Sequence, residues 1–92
     1  MNRLKECREK ANLTQSELAK KSGLTRSYIN KIENSNKASK KVKIQTLLKI
    51  SECLNKSPIE VWGTDLLKYE PQNIFERDKM IQILEDYYNV QG

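Results

Sequence analysis

The segment that most constrains the fold is Leu13–Asn34, whose sequence LTQSELAKKSGLTRSYINKIEN predicts two short helices joined by a tight turn. Thr14 and Glu17 have the spacing of a capping box, in which two residues exchange side-chain to backbone hydrogen bonds at a helix start. Gly23 adopts a positive φ without steric penalty, which suits a sharp turn. Thr25 can then cap the second helix. The segment therefore predicts a helix-turn-helix.

The second helix of this segment has an apolar stripe and a polar outward face. Ile29 and Ile32 are three residues apart, which places them together on the side that is buried. The residues left outside all form hydrogen bonds, and they include two cations and no carboxylate. Such a face suits the edges of bases in a DNA groove. We therefore assign base contacts to Arg26, Ser27, Asn30 and Lys31.

Positive charge is concentrated in the first two thirds of the 92-residue chain. Residues 1–63 contain 14 Lys or Arg and 6 Asp or Glu, whereas residues 64–92 contain 3 and 6, within a net charge of +5 for the whole chain. A basic body favours a phosphate-bearing partner, and an acidic tail favours a different contact. Chance clustering in a small protein is the alternative explanation. We predict a DNA-binding domain over residues 1–63, followed by a linker and a C-terminal helix over residues 64–92.

The content of cysteine and histidine limits the possible chemistry. Cys7 and Cys53 are isolated and the chain has no histidine, which excludes zinc-finger ligation and a His-dependent catalytic triad. We expect reduced thiols packed as small apolar side chains, with a disulfide as the alternative. No glycine-rich phosphate loop or paired-carboxylate pattern occurs, so we predict no enzymatic activity, metal or cofactor.

The chain also lacks recognisable targeting segments. Its first ten residues, MNRLKECREK, are charged and contain no apolar core of a signal peptide. No apolar run is long enough to cross a membrane. We therefore expect a cytoplasmic protein without a membrane partner.

Further helices are predicted on both sides of the central segment. Apolar periodicity indicates one helix near residues 2–11 and a core helix near residues 44–54. Ser57 and Glu60 form another capping box, which begins a short helix that ends at Gly63. We expect Trp62 to close the core, with base stacking as the alternative. The first helix also offers Arg8 as an internal ion-pair partner for Glu33.

A polar and basic loop, residues 34–43, directly follows the candidate recognition helix. A solvated loop is one explanation for its lysines, and a clamp on the DNA backbone is the other. Each lysine that neutralises a phosphate adds to the salt dependence of binding. We assign backbone contacts in this region to Asn34, Lys37, Lys40, Lys41 and Lys43.

The C-terminal segment predicts one amphipathic helix. Residues 64–72 are linker-like, and a third capping box, Asn73 with Glu76, begins a helix that reaches about Asn89. An apolar stripe must be buried against something, either the domain itself or a second copy of the chain. We assign a dimer contact to Ile74, Ile81, Leu84 and Tyr88, on a face that Phe75, Met80, Ile83 and Tyr87 widen.

The chain resembles the lambda-repressor-like, Cro/C1-type helix-turn-helix proteins, also called the XRE family. The matching residues are Leu4 and Arg8, then LTQSELAKKSGLTRSYINKIEN, then TLLKISECLNKSPIEVW, so the resemblance extends over residues 2–62. The loop between Glu33 and Leu47 is longer than the usual family pattern, and the chain after Gly63 has no counterpart in it. The resemblance implies an all-α fold, with a five-helix DNA-binding bundle plus an additional C-terminal helix.

The resemblance also implies how the protein meets DNA. The helix at residues 25–33 would enter the major groove, and Gln15 would contact a phosphate at the start of the preceding helix. Thr25 would contact the DNA backbone. Tyr28 would press on a backbone sugar or on the methyl group of a thymine. The predicted function is a homodimeric repressor of transcription that binds a palindromic operator in double-stranded DNA. The alternative is an antitoxin or anti-regulator whose residues 64–92 hold a protein partner, with autorepression as a compatible activity.

Overall fold

The computed structural model describes residues 3–35, 42–63, 66 and 69–91, and all regular secondary structure within them is helical. The all-α prediction is therefore confirmed. Along the described chain the helices are α1 (Leu4–Lys10), α2 (Gln15–Ser22), α3 (Arg26–Glu33), α4 (Ile44–Cys53), α5 (Pro58–Trp62) and α6 (Ile74–Gln91). Helices α1–α5 form the predicted bundle and α6 is the additional C-terminal helix.

The capping signals in the sequence set the starts of two helices. At α2, Thr14 Oγ1 accepts from the Glu17 N–H at 3.1 Å, and Glu17 Oε1 accepts from the Thr14 N–H at 2.9 Å. Ser57 and Glu60 make the same exchange at α5, at 3.3 and 3.2 Å. Both capping boxes are therefore confirmed, and each satisfies two N–H groups that a helix start leaves without intrahelical partners.

The start of α6 differs from the predicted capping box. Asn73 Oδ1 accepts from the Glu76 N–H at 2.9 Å as expected, but Glu76 Oε1 accepts from the Gln72 N–H at 2.8 Å instead of the Asn73 N–H. The prediction was wrong in this second bond. The Glu76 side chain is buried, and its bond to Gln72 holds the preceding segment against the helix.

The core includes side chains from all six helices. Trp62 is fully buried, and its indole N–H donates to Ser51 Oγ at 3.0 Å and to the Leu47 carbonyl at 3.2 Å. Trp62 is thus a packing residue, as expected. Cys7 is buried and Cys53 half-buried, and both thiols are free. None of the described helices is long and apolar enough to cross a membrane.

The chain beyond Gly63 contributes to the same core. Leu66 is fully buried and Tyr69 nearly so, and both belong to the apolar cluster formed by the bundle. The segment predicted to be a linker is therefore anchored at these two side chains. The division of the chain into two regions at residue 63 stays a prediction.

Helix α6 has two apolar faces instead of the one wide face predicted. Met80 and Ile83 are buried in the core, whereas Ile74, Ile81 and Tyr88 are exposed. Met80 and Ile81 are neighbours in sequence, about 100° apart around the helix, and here Met80 faces the core while Ile81 faces outward. Packing on the domain and an outward contact surface therefore involve different residues of one helix.

Candidate DNA-binding surface

Helices α2 and α3 form the core of the candidate surface. Leu18 of α2 and Ile29 of α3 are fully buried and Ile32 is nearly so, which packs the two helices against each other. Gly23 ends α2 with φ of 72°, in the left-handed region that glycine adopts freely. Leu24 then donates its N–H to the Ala19 carbonyl at 2.9 Å. The turn and the shared core fix the angle at which α3 leaves α2.

The four residues predicted to contact bases lie on one face of α3. At about 100° per residue, their positions span roughly 140° of the helix surface, opposite Ile29 and Ile32. All four side chains are exposed, so their hydrogen-bonding groups are accessible to a ligand. The structure therefore brings these predicted residues together: Arg26, Ser27, Asn30 and Lys31.

The only carboxylate of α3, Glu33, is turned away from this face. Glu33 Oε2 accepts from Arg8 Nε at 2.6 Å, and Oε1 accepts from Arg8 Nη2 at 3.3 Å. Their side chains are 10% and 2% exposed for Arg8 and Glu33 respectively, so the predicted ion pair is confirmed as an internal one. The hydrogen bond to Glu33 raises the pKa of Arg8, against the opposing effect of burial.

Two further hydrogen bonds extend this ion pair into a network. Gln15 Nε2 donates to Glu33 Oε1 at 3.1 Å, and Arg8 Nη1 donates to the Leu13 carbonyl at 2.7 Å. The network joins α1, the start of α2 and the end of α3. It therefore fixes the position of α3 and neutralises Glu33, and the outward charge of α3 is only positive.

Gln15 has a role that the sequence analysis missed. It was predicted to contact phosphate, and its half-buried amide instead donates one N–H within the protein. The second amide N–H and the amide oxygen are not engaged by that bond, so the phosphate contact stays a prediction. No signal in the sequence identifies this bond, because Gln15 and Glu33 are 18 residues apart and only tertiary packing brings them together.

The other predicted backbone contacts lie around the ends of α3. Thr25 Oγ1 accepts from the Tyr28 N–H at 3.1 Å, which leaves its hydroxyl hydrogen for another acceptor. Asn34 Nδ2 donates to the Asn30 carbonyl at 2.9 Å and closes the helix. Tyr28 is half-buried against the core, and Lys43 is exposed immediately before α4. Lys37, Lys40 and Lys41 lie outside the described residues.

The comparison with protein families identifies the fold. The model of the family HTH_3, described as helix-turn-helix, matches residues 4–61, from the first residue of α1 almost to the end of α5. The chain belongs to this Cro/C1-type helix-turn-helix family. It is therefore a DNA-binding transcription regulator, in agreement with the resemblance in the sequence. Neither a curated protein nor a solved structure matched the chain.

Proposed function

We propose that this helix-turn-helix regulator is a repressor that binds a palindromic operator as a homodimer, with α3 in the major groove. The observation that carries the proposal is the outward face of α3, where Arg26, Ser27, Asn30 and Lys31 are exposed while Glu33 is held inside. A guanidinium or ammonium group matches guanine O6 and N7, and an amide matches adenine N6 and N7. Base recognition therefore comes from a face with no anionic group.

Phosphate contacts would position this face along the duplex. The capping box at Thr14 engages two N–H groups at the start of α2, and the remaining N–H groups of the first turn suit an anion. Candidate phosphate contacts are Gln15 of α2, Tyr28 within α3, and Thr25 and Asn34 at the two ends of α3. Lys43 adds a cation. Such contacts carry no sequence information, but they fix the register of the protein on DNA.

Repression would follow from occlusion. Two domains of a homodimer occupy major grooves about 34 Å apart on one side of the duplex, where they exclude polymerase. The exposed apolar residues of α6 support self-association, because an uncovered row of this kind on a folded protein usually marks a contact surface. Half-buried Leu84 borders the row formed by Ile74, Ile81 and Tyr88.

Selection of bound duplexes from a random pool, at a stated salt concentration, tests this proposal. We expect an enriched palindrome whose half-sites are one helical turn apart, with two protomers bound per duplex. Transcription in vitro from a promoter that carries the selected site should fall when the protein is added. An unenriched pool would contradict sequence-specific binding, and a single half-site occupied by one protomer would contradict the homodimer.

The second candidate function is an antitoxin or anti-regulator that holds a protein partner through the C-terminal region. The observation that favours it is a groove of about 280 Å³ between α5 and α6, lined by Ser57, Pro58, Ile59, Glu60, Ile83, Asp86 and Tyr87. Its exposed carboxylates suit a basic peptide segment.

Deletion of residues 64–92 would not separate the two functions, because it removes four core side chains: Leu66, Tyr69, Met80 and Ile83. Two surface substitutions do so instead. Loss of self-association in Ile81→Lys with an intact fold supports the homodimeric repressor. Loss of a stoichiometric protein partner in Asp86→Lys, with self-association retained, supports the alternative.

A further inference from the structure

The outward face of α6 contains a straight apolar row. Ile74, Ile81 and Tyr88 are each seven residues apart, so they lie about 10 Å apart along the helix on nearly one line. Their exposed fractions are 69%, 45% and 62%. A sevenfold spacing is the period at which paired helices contact each other.

The two flanks of this row differ, because one is buried in the core and the other consists of exposed side chains. On one side, Met80 and Ile83 are buried in the protein's own core. On the other side, Lys79 Nζ lies 5.3 Å from the centroid of the Phe75 ring, and Gln82 Nε2 donates to Asp86 Oδ1 at 3.1 Å. The row is therefore bounded by the core on one side and by exposed contacts along the helix on the other.

Charged residues next to the row lack partners within the described residues. Arg77, Asp78 and Glu85 are all exposed, and none of them forms an ion pair in the part of the chain that the structure describes. At about 100° per residue, Arg77 lies on one side of the line from Ile74 to Ile81, and Asp78 and Glu85 lie on the other. This arrangement distinguishes a parallel from an antiparallel pair of α6 helices from two copies of the chain.

We propose that a second copy of the chain covers the row, with the two α6 helices parallel and in register. The inference rests on the homodimer of the proposed function. In a parallel pair related by a two-fold axis, each row residue meets its own counterpart, and Arg77 lies beside Asp78 of the partner subunit. Two equivalent pairs of opposite charge then flank the row.

The antiparallel arrangement fits the same charges less well. With the helices crossing at Ile81, Ile74 would meet Tyr88 of the partner subunit. Asp78 would lie beside Glu85 of the partner subunit, twice by symmetry, and like charges at such a contact repel. Charge complementarity therefore selects the parallel pair.

A short isolated helix is not stable enough to form a helical pair by itself, but α6 is already stabilised by packing on its own domain. A free helix of 18 residues is marginal in water. Here Met80, Ile83 and the hydrogen-bonded Glu76 already hold α6 against its own domain. Self-association then only has to cover the exposed row, without forming the helix.

Cysteine cross-linking tests the orientation in the full-length protein. The background protein carries Cys7→Ala and Cys53→Ala and is checked for helical content. Three single-cysteine variants are then oxidised mildly, one at a time: Ile74→Cys, Ile81→Cys and Tyr88→Cys. The parallel pair predicts a disulfide-linked dimer from each variant alone. The matched control Gln82→Cys, exposed on another side of α6, should stay monomeric on denaturing gels.

Other cross-linking results would overturn the inference. An antiparallel pair would give a different pattern. Among the single variants only Ile81→Cys would form a dimer, and Ile74→Cys would cross-link only when mixed with Tyr88→Cys. No cross-link in any variant, while two protomers still bind one palindrome, would place the interface elsewhere and leave the proposed function standing. A protein that is monomeric both free and on its selected DNA would overturn the homodimer itself.

A charge exchange gives an independent measurement. Arg77→Asp alone should weaken self-association about threefold to thirtyfold, because two exposed ion pairs of ordinary strength are lost. Adding Asp78→Arg should restore it, since the pairs form again with reversed polarity. If the double variant associates no better than the single one, Arg77 and Asp78 do not face each other across the interface.

Discussion

Helices α3 and α6 each bury one side in the core, yet their outward faces are opposite in character. The outward face of α3 is polar and cationic, whereas that of α6 carries an apolar row. Each helix also holds one glutamate inside: Glu33 bonds to Arg8 and Gln15, and Glu76 bonds to the backbone N–H of Gln72. The two helices are therefore fixed by similar internal bonds but present surfaces suited to different ligands, nucleic acid and protein.

The largest expected effect concerns the internal bond of α3. Arg8→Ala leaves Glu33 buried without its cation, which should lower the free energy of unfolding by about 3–5 kcal/mol. Urea denaturation measures this loss. The matched control is Lys10→Ala, which removes the exposed pair of Lys10 with Glu6, 3.1 Å apart, and should cost less than about 0.5 kcal/mol. Equal losses in both variants would show that the internal pair does not hold α3.

The next effect compares the two faces of α6. Met80→Ala should lower the free energy of unfolding by about 2–3 kcal/mol, because it opens a cavity at a buried position. Ile81→Ala should change it by less than about 0.5 kcal/mol at a protein concentration where the chain is monomeric. The concentration matters because self-association would stabilise the folded chain by mass action. A larger loss from Ile81→Ala than from Met80→Ala would reverse our assignment of the faces.

The outward face of α3 should show a smaller, ligand-specific effect. Arg26→Ala should weaken binding to the selected operator by about 1–3 kcal/mol and relax the preference at one base position. Lys43→Ala should instead weaken binding to all sequences similarly and reduce the salt slope by about one. Binding titrations at several salt concentrations distinguish the two. An unchanged base preference in Arg26→Ala would contradict the assignment of this face to bases.

Much of the bundle could be predicted because its signals are local. The capping boxes at Thr14 and Ser57 depend on residues three apart, and the buried stripe of α3 depends on a fixed helical period. The pair of Arg8 with Glu33 could also be predicted, since a charge beside a buried stripe needs a partner inside the protein.

The parts that the sequence did not predict depend on tertiary packing. The amide of Gln15 can donate to a phosphate or to a carboxylate. It donates to Glu33 because α3 places that carboxylate within hydrogen-bond distance. In α6 the periodicity identifies apolar residues, but it does not say which of two neighbours, Met80 or Ile81, faces the domain. Leu66 and Tyr69 are buried in the core. Their spacing of three residues in a short segment is too weak a pattern to predict that burial.

The smallest expected effect concerns the internal bond of α6. Tyr69→Phe removes a nearly buried hydroxyl that lies beside the carboxylate of Glu76, and should lower the free energy of unfolding by about 1 kcal/mol. Burial, and then the hydrogen bond to Glu76, raises the pKa of Tyr69. Below pH about 10 this group has no effect on the pH dependence of stability, because tyrosine is protonated in both the folded and the unfolded chain.

Above that pH the unfolded chain releases the Tyr69 proton more readily than the folded chain, so stability falls as pH rises through the raised pKa. Tyr69→Phe should therefore lose part of this alkaline decrease, and Tyr88→Phe, which changes an exposed tyrosine of α6, is the matched control. Thermal unfolding between neutral and alkaline pH measures both. Identical alkaline profiles for the two variants would show that the raised pKa of Tyr69 does not contribute to the alkaline loss of stability.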